Sequence, residues 1–162
     1  MTGWAENNAE DRARGEAWEG AFESLATGLG FGCRKPVVRW FDRIVSRPGL
    51  PDEWHEIKDK YPAKGNLYGL EVYRFDELVK RAEAGALVLY TIHDSRLGVW
   101  LTADVLSLAE HLAPAVPGRS YHNSKGENGV PTYYWPTELW GPLLRLWGVG
   151  DMLAADLDWR QK

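Results

Sequence analysis

The chain has 162 residues, of which 44% are hydrophobic and 26% are charged, and its formal net charge is −4. This length is typical of one domain with its own hydrophobic core, so we predict a single domain spanning residues 1–162. The composition excludes wholesale disorder and collagen-like structure. The acidic balance argues against a general nucleic-acid binder, because phosphate neutralisation needs a surplus of Lys and Arg. Nucleic acid is therefore an unlikely partner.

Cys33 is the only cysteine, so an intrachain disulfide and a cysteine-based zinc site are both excluded. The N-terminus has neither the basic region nor the apolar region of a secretory signal. The longest apolar run, residues 84–92, is far shorter than the stretch that a membrane-spanning helix needs. We therefore expect a cytoplasmic protein with no membrane partner.

The first part of the chain, residues 1–62, is predicted to be helical. Apolar residues recur every four positions through the first thirty residues, and glycines at positions 28, 30 and 32 end that helix. A second helix is predicted from Pro36 to Arg47, and its buried stripe consists of Val37, Trp40, Phe41, Ile44 and Val45. A third helix is predicted from Asp52 to Tyr61.

Residues 67–112 form a predicted core of strands and helices. The spacing predicts strands over 67–73, 86–92 and 99–102, and the continuous apolar run of 86–92 favours the centre of a sheet. Helices are predicted after Asp76 and after Thr102, which is a favourable N-cap. The fold class is therefore α+β, with a small, mainly antiparallel sheet of about three strands that is covered by helices.

Residues 114–132 lack apolar periodicity and are predicted to form a long loop of the functional or mobile kind. The loop leads into an aromatic C-terminal helical segment, residues 133–162. Polar groups beside aromatic side chains are typical of a protein interface, although such aromatics also build cores. The predicted contact residues are Arg119, Tyr121, His122, Asn123, Lys125, Glu127, Tyr133, Tyr134 and Trp135.

These features favour a non-enzymatic protein-binding module, such as an inhibitor, an immunity-type protein or an anti-defence protein that acts on a partner protein. The nine tryptophans support this interpretation, because one small core does not readily bury so many indole N–H groups with partners. The alternative is a small hydrolase or transferase that uses His93, Asp94 and His122 as acid–base residues. A third interpretation is a DNA-associated helical module over residues 36–61, with outward-facing Arg39, Arg43, Arg47 and Lys58.

No motif in the sequence indicates a cofactor or a metal ion. The glycines at positions 28, 30 and 32 follow a helical pattern, whereas a phosphate-binding loop follows a strand. Cys33 and Arg39 have the spacing of a phosphatase loop, but Pro36 between them removes a main-chain donor. The histidines lack the spacing of a zinc helix. We therefore expect neither a cofactor nor a metal.

Overall fold

The computed structural model describes residues 3–37, 41–60, 62, 66–112 and 131–149. Four α-helices and eight strands lie within these ranges. In chain order they are α1 (Gly3–Gly28), β1 (Gly32–Arg34), β2 (Arg43–Ser46), β3 (Glu53–Lys60), β4 (Leu67–Glu71), α2 (Val72–Glu83), β5 (Leu87–Asp94), β6 (Val99–Asp104), α3 (Val105–Glu110), β7 (Thr132–Pro136), β8 (Gly141–Pro142) and α4 (Leu143–Leu146).

The strands form one six-stranded sheet in the order β1-β2-β3-β5-β6-β8 and a second sheet in which β4 pairs with β7. Strands β3 and β5 are parallel, and the other neighbours are antiparallel. The prediction of an α+β fold with a mainly antiparallel sheet is confirmed. The predicted sheet of about three strands was too small, because four of the six strands, β1, β2, β3 and β8, come from segments predicted to be helical or left unassigned. The strand predicted over 67–73 lies in the second sheet, as β4.

The two predicted helices over 36–47 and 52–61 are wrong. The described parts of these segments form β2 and β3 instead. Short apolar runs such as Ile44-Val45 fit a helix and a buried strand equally well, so their periodicity does not decide between them. Strand pairing decides the structure of this segment, because residues 53–55 of β3 pair with β2 along one edge and with β5 along the other. Residues 38–40, including Arg39 and Trp40, lie outside the described residues.

The apolar strand predicted over 86–92 is confirmed as β5, which lies between β3 and β6 in the large sheet. The helices predicted after Asp76 and Thr102 correspond to α2 and α3, but α2 begins earlier, at Val72, inside the strand predicted over 67–73. Thr102 is not the N-cap of α3: it lies within β6, and Asp104 caps the helix by accepting from Leu106 N and Ser107 N. The C-terminal segment differs from the prediction, because residues 132–136 are strand β7 and the only helical turns described after it are short. Pro142 is the residue before α4, as its missing N–H group favours.

Helix α1 covers one face of the large sheet, and α2, α3 and the β4–β7 pair cover the other. Side chains of β3 alternate between these faces. His55 and Ile57 lie on the α1 face, where Phe22 contacts His55. Glu56, Lys58 and Lys60 therefore point to the α2 face. No helix in the described part of the chain is both long and apolar enough to span a membrane.

The C-terminal aromatics contribute to the core rather than to a surface. Tyr134 is 8% exposed and Trp135 is fully buried, so the predicted interface does not include these two rings. Tyr133 is half-buried and contacts Phe75. The indole N–H groups of Trp135, Trp140 and Trp147 each donate a hydrogen bond, to Leu108 O, Tyr90 O and Glu53 Oε1 respectively.

Candidate active site

Two carboxylates lie near each other where β2 begins beside β3. Asp42 directly precedes β2, and its negative charge is close enough to Glu56 of β3 to raise the pKa of Glu56. The main chain holds Asp42 in place, because its N–H donates to His55 O at 3.0 Å and its Oδ2 accepts from Ile57 N at 2.7 Å.

Glu56 is fully buried, and neither of its carboxylate oxygens has a hydrogen-bond partner. Its nearest cations are Arg74 Nη1 at 3.4 Å and Lys58 Nζ at 3.6 Å, both measured to Oε1. Burial disfavours the charged form and the charge of Asp42 adds repulsion, so the pKa of Glu56 rises to about 7. A buried charge without hydrogen bonds costs stability, which makes Glu56 a candidate for a functional rather than a structural residue.

Lys58 lies two residues after Glu56 on the same strand face, and about a third of its side chain is exposed. Lys60 follows on that face, and its Nζ donates to Gly69 O at 2.7 Å. Burial lowers the pKa of Lys60 to about 8. The strand therefore presents a carboxylate followed by two ammonium groups, of which Lys58 is the more accessible.

A third carboxyl group reaches the site from α1. Glu19 is hydrogen-bonded to Asp42, and burial followed by this bond raises the pKa of Glu19 to about 8. At neutral pH Glu19 therefore retains its proton, which relieves the repulsion between the two carboxyl groups. Arg43 borders the pair, with Nη1 donating to Asp42 O at 2.7 Å and Nε 3.5 Å from Glu23 Oε2.

These carboxylates suit a hard divalent cation. Within the described residues, no three Asp, Glu, His or Cys side chains converge into a closed metal cage. Mg²⁺, however, is commonly held by one or two carboxylates together with waters and substrate phosphates. The oxygens of Glu56, which accept no hydrogen bond, and the neighbouring Asp42 form a donor set of this kind.

The acid–base residues suggested by the sequence do not meet in one site. His93 lies on the α1 face, where its ring stacks on Trp18 at 3.6 Å and its Nδ1 is 2.8 Å from Asp59 Oδ1. Asp94 lies on the opposite face and accepts from the Tyr68 hydroxyl. Adjacent strand residues point to opposite faces, which is why the two side chains separate. His122 and the rest of the predicted contact loop, residues 119–127, lie outside the described residues.

A second buried polar cluster, on the α1 face, is fully partnered and holds the fold together. Glu53 Oε1 accepts from Trp147 Nε1 at 2.9 Å and lies 3.0 Å from His55 Nε2, while Glu53 Oε2 accepts from Arg47 Nε at 2.7 Å. His55 Nδ1 lies 2.6 Å from Thr91 Oγ1. Burial lowers the pKa of His55, so the ring is neutral at physiological pH. Arg47 therefore binds inside the fold, contrary to its predicted outward position.

Sequence reasoning missed Asp42, Glu56, Lys58 and Glu19 as a group. A helical assignment for residues 52–61 separates Glu56 from Lys58, because residues two apart do not share a helix face. On a strand the same spacing aligns them. The signal that could have found them was Glu56-Ile57-Lys58 in a strand that follows a shorter strand headed by a carboxylate, Asp42.

No family model and no curated protein matches this chain. Among solved structures, Hjc, a Holliday junction resolvase from Archaeoglobus fulgidus, aligns with a TM-score of 0.57 at 14% identity, covering 83% of this chain and 96% of that chain. A nuclease from a fusselovirus aligns with a TM-score of 0.46 at 14% identity, covering 82% of this chain and 82% of that chain.

The likeness to Hjc overturns three expectations from the sequence: a non-enzymatic binding module, an inhibitor or immunity-type protein, and an unlikely role for nucleic acid. The last error has a physical reason. Net charge describes the whole surface, whereas an enzyme that acts on phosphates through a cation needs carboxylates at its site. The alternative of a small hydrolase agrees better with this likeness, although His93 lies on the other face of the sheet from Glu56. The chain therefore has the fold of Hjc and carries Asp42, Glu56 and Lys58 together on its β2–β3 region.

Proposed function

We propose that this protein is a divalent-cation-dependent nuclease that hydrolyses phosphodiester bonds in nucleic acid. The observation that carries the proposal is the buried carboxylate of Glu56, whose oxygens accept no hydrogen bond and which lies beside Asp42 and 3.6 Å from Lys58 Nζ. The fold shared with a Holliday junction resolvase supports the same class of reaction. Fold alone does not determine function, because the reaction depends on the residues of the site.

Asp42 and Glu56 would hold the cation in this proposal. The hydrogen bond from Ile57 N orients Asp42, so its position does not depend on a flexible rotamer. Glu56 has no competing hydrogen bond to break when it binds the ion. A bound divalent cation polarises a phosphoryl oxygen and lowers the pKa of its water, so that a nucleophile is available at neutral pH.

Lys58 supplies positive charge to the reacting phosphate. Its ammonium group is partly exposed and lies beside Glu56, where the phosphate of a bound strand would approach the cation. In the reaction, water forms a bond to phosphorus and the bond from phosphorus to one ester oxygen breaks. The leaving oxygen takes a proton, and the products are an alcohol and a phosphate monoester. Lys58 stabilises the negative charge that develops on the phosphoryl oxygens.

Cleavage of labelled nucleic acid tests the proposal. Single-stranded, duplex and four-way-junction DNA, together with single-stranded RNA, are incubated with the protein in Mg²⁺ and, separately, in EDTA. We expect cleavage of at least one substrate in Mg²⁺ only. Asp42→Asn and Glu56→Gln should abolish this cleavage, because each removes a charged ligand of the cation.

Two surface variants serve as matched controls. Glu77→Gln and Lys80→Ala change the same residue types on α2, away from the site. In the wild type these two side chains form an ion pair with each other, with 3.1 Å between Lys80 Nζ and Glu77 Oε1. Both controls should cleave like the wild type. Equal cleavage by Glu56→Gln and the wild type, or no cleavage of any substrate by folded protein, would overturn the proposal.

A further inference from the structure

A cation and an exposed aromatic ring from α2 flank the carboxylate site. Arg74 lies in the first turn of α2, and its Nη1 is 3.4 Å from Glu56 Oε1. About a quarter of the Arg74 side chain is exposed, so the guanidinium reaches both the buried carboxylate and solvent. The next residue, Phe75, is buried against Trp135, which holds this turn of the helix in place.

The exposed aromatic ring is that of Tyr73, which precedes Arg74. Tyr73 is 58% exposed, whereas the other aromatic side chains whose exposure the structure describes are half-buried or buried. Its hydroxyl is close enough to Arg74 to interact with the guanidinium electrostatically. A large ring left in water has no role in the core, and here it lies next to a cation at the candidate active site.

The surroundings of Arg74 stabilise its positive charge. Burial opposes this charge, but the carboxylates of Glu56 and Asp42 outweigh the opposition and raise the pKa of Arg74. When Glu56 binds a cation, part of its negative charge is neutralised, and the guanidinium becomes available to another anion. Guanidinium groups suit phosphate oxygens because their donors form a planar fork.

We propose that Arg74 and Tyr73 form a nucleotide subsite, in which Arg74 binds a phosphate of the substrate strand and Tyr73 stacks on the adjoining base. This inference rests on the nuclease function proposed above and adds a substrate class to it. A base inside a duplex is covered by its neighbours on both faces, so a protein ring stacks readily only on an unpaired base. The preferred substrate is therefore nucleic acid that is single-stranded or unpaired at the cleavage point.

Binding measurements test the subsite separately from cleavage. Fluorescence anisotropy follows a labelled DNA single strand and the matching duplex, in Mg²⁺, with protein carrying Asp42→Asn so that the strand stays intact while Glu56 and Arg74 remain. We expect tighter binding to the single strand. Adding Tyr73→Ala should weaken single-strand binding about 10-fold and leave duplex binding unchanged, because only the stack is lost. Tyr73→Phe keeps the ring and should bind like its parent.

Arg74→Ala should weaken binding and lower the slope of log affinity against log salt by about 1, as expected for the loss of one phosphate contact. Arg81→Ala, an exposed basic residue in the last turn of the same helix, is the control and should affect binding less. Equal affinity for single strand and duplex, or a Tyr73→Ala variant with an unchanged ratio between them, would overturn the subsite.

Cleavage by the otherwise wild-type protein separates the two proposals. If the wild type cleaves nucleic acid and Tyr73→Ala cleaves single strand and duplex in the same ratio as the wild type, the subsite is wrong and the nuclease function stands. If the wild type cleaves no nucleic acid, the nuclease function fails, and the subsite fails with it. Reduced cleavage of single strands alone by Tyr73→Ala supports both.

Discussion

Asp42 bonds the main chain of β3 on both sides of Glu56, since its N–H donates to His55 O and its Oδ2 accepts from Ile57 N. The environments of the two carboxylates differ. Asp42 accepts a main-chain hydrogen bond from Ile57, while the buried oxygens of Glu56 accept none. One carboxylate is thus oriented by the backbone, and the other is balanced only by the nearby cations Lys58 and Arg74.

Glu56→Gln should stabilise the protein while it abolishes cleavage. The folded state raises the pKa of Glu56 from 4.5 to about 7, so the folded protein binds a proton more tightly than the unfolded chain does. Stability therefore falls as pH rises from 4.5 towards about 7, and the amide avoids this loss. Above that pH, in the absence of divalent cations, we expect a gain on the order of 2 kcal/mol in urea unfolding. Glu77→Gln should show no such gain.

The cleavage rate should rise with pH through the neutral range. Glu56 binds the cation in its ionised form, and burial raises its pKa to about 7. Burial also raises the pKa of Glu19, which is hydrogen-bonded to the other ligand, Asp42, to about 8. Below these values the rate should fall, because protons compete with the cation. More Mg²⁺ should shift the rising limb to lower pH. Rates measured across pH at two Mg²⁺ concentrations check this expectation, and a profile that is flat through neutral pH contradicts it.

Lys58→Ala should slow cleavage about 100-fold, the usual effect of removing one group that stabilises charge in a transition state. Because Lys58 lowers the pKa of Glu56, its removal should also move the pH profile to higher pH. Single-turnover rates measure both effects. Lys80→Ala, on the surface of α2, should change neither quantity, and a fully active Lys58→Ala variant would remove Lys58 from the site.

His93→Ala should lower stability without slowing cleavage. The imidazole stacks on Trp18 and bonds Asp59 on the α1 face, whereas Glu56 and Lys58 lie on the other face of β3. Losing a buried stacked ring and its hydrogen bond should cost about 1–3 kcal/mol in urea unfolding. A variant that folds stably and has lost cleavage would instead return His93 to the list of catalytic residues.

Leu89→Ala tests the centre of the sheet. Leu89 is 4% exposed in β5, between β3 and β6, so truncating it removes apolar contacts and leaves a cavity. We expect a loss of roughly 2–5 kcal/mol in the free energy of unfolding. Leu106→Ala, at an exposed position of α3, is the control and should cost far less. A loss below about 0.5 kcal/mol for Leu89→Ala would show that the side chain of Leu89 is not packed in the centre of the sheet as described.

The local sequence was sufficient for elements whose pattern has one interpretation. The apolar run around Leu89 is continuous and dense in β-forming residues, which predicts a central strand whatever its neighbours are. Helix α2 is amphipathic, with Phe75, Leu78 and Ala82 buried on one face, and periodicity predicts it from Asp76 onward, although the helix begins at Val72. Pro142 stands at the start of α4 because its ring suits only that end of a helix.

Tertiary structure decided the β2 and β3 strands and, with them, the candidate site. Glu53, His55 and Glu56 are polar residues that local rules place on a solvated helix, yet all three are buried in β3. They become tolerable there only because partners arrive from distant parts of the chain, such as Trp147 for Glu53 and Arg74 for Glu56. No local pattern contains those partners. The proximity of Asp42 to Glu56 likewise depends on the long-range pairing of β2 with β3, so the sequence supplied the chemical groups and the fold brought them together.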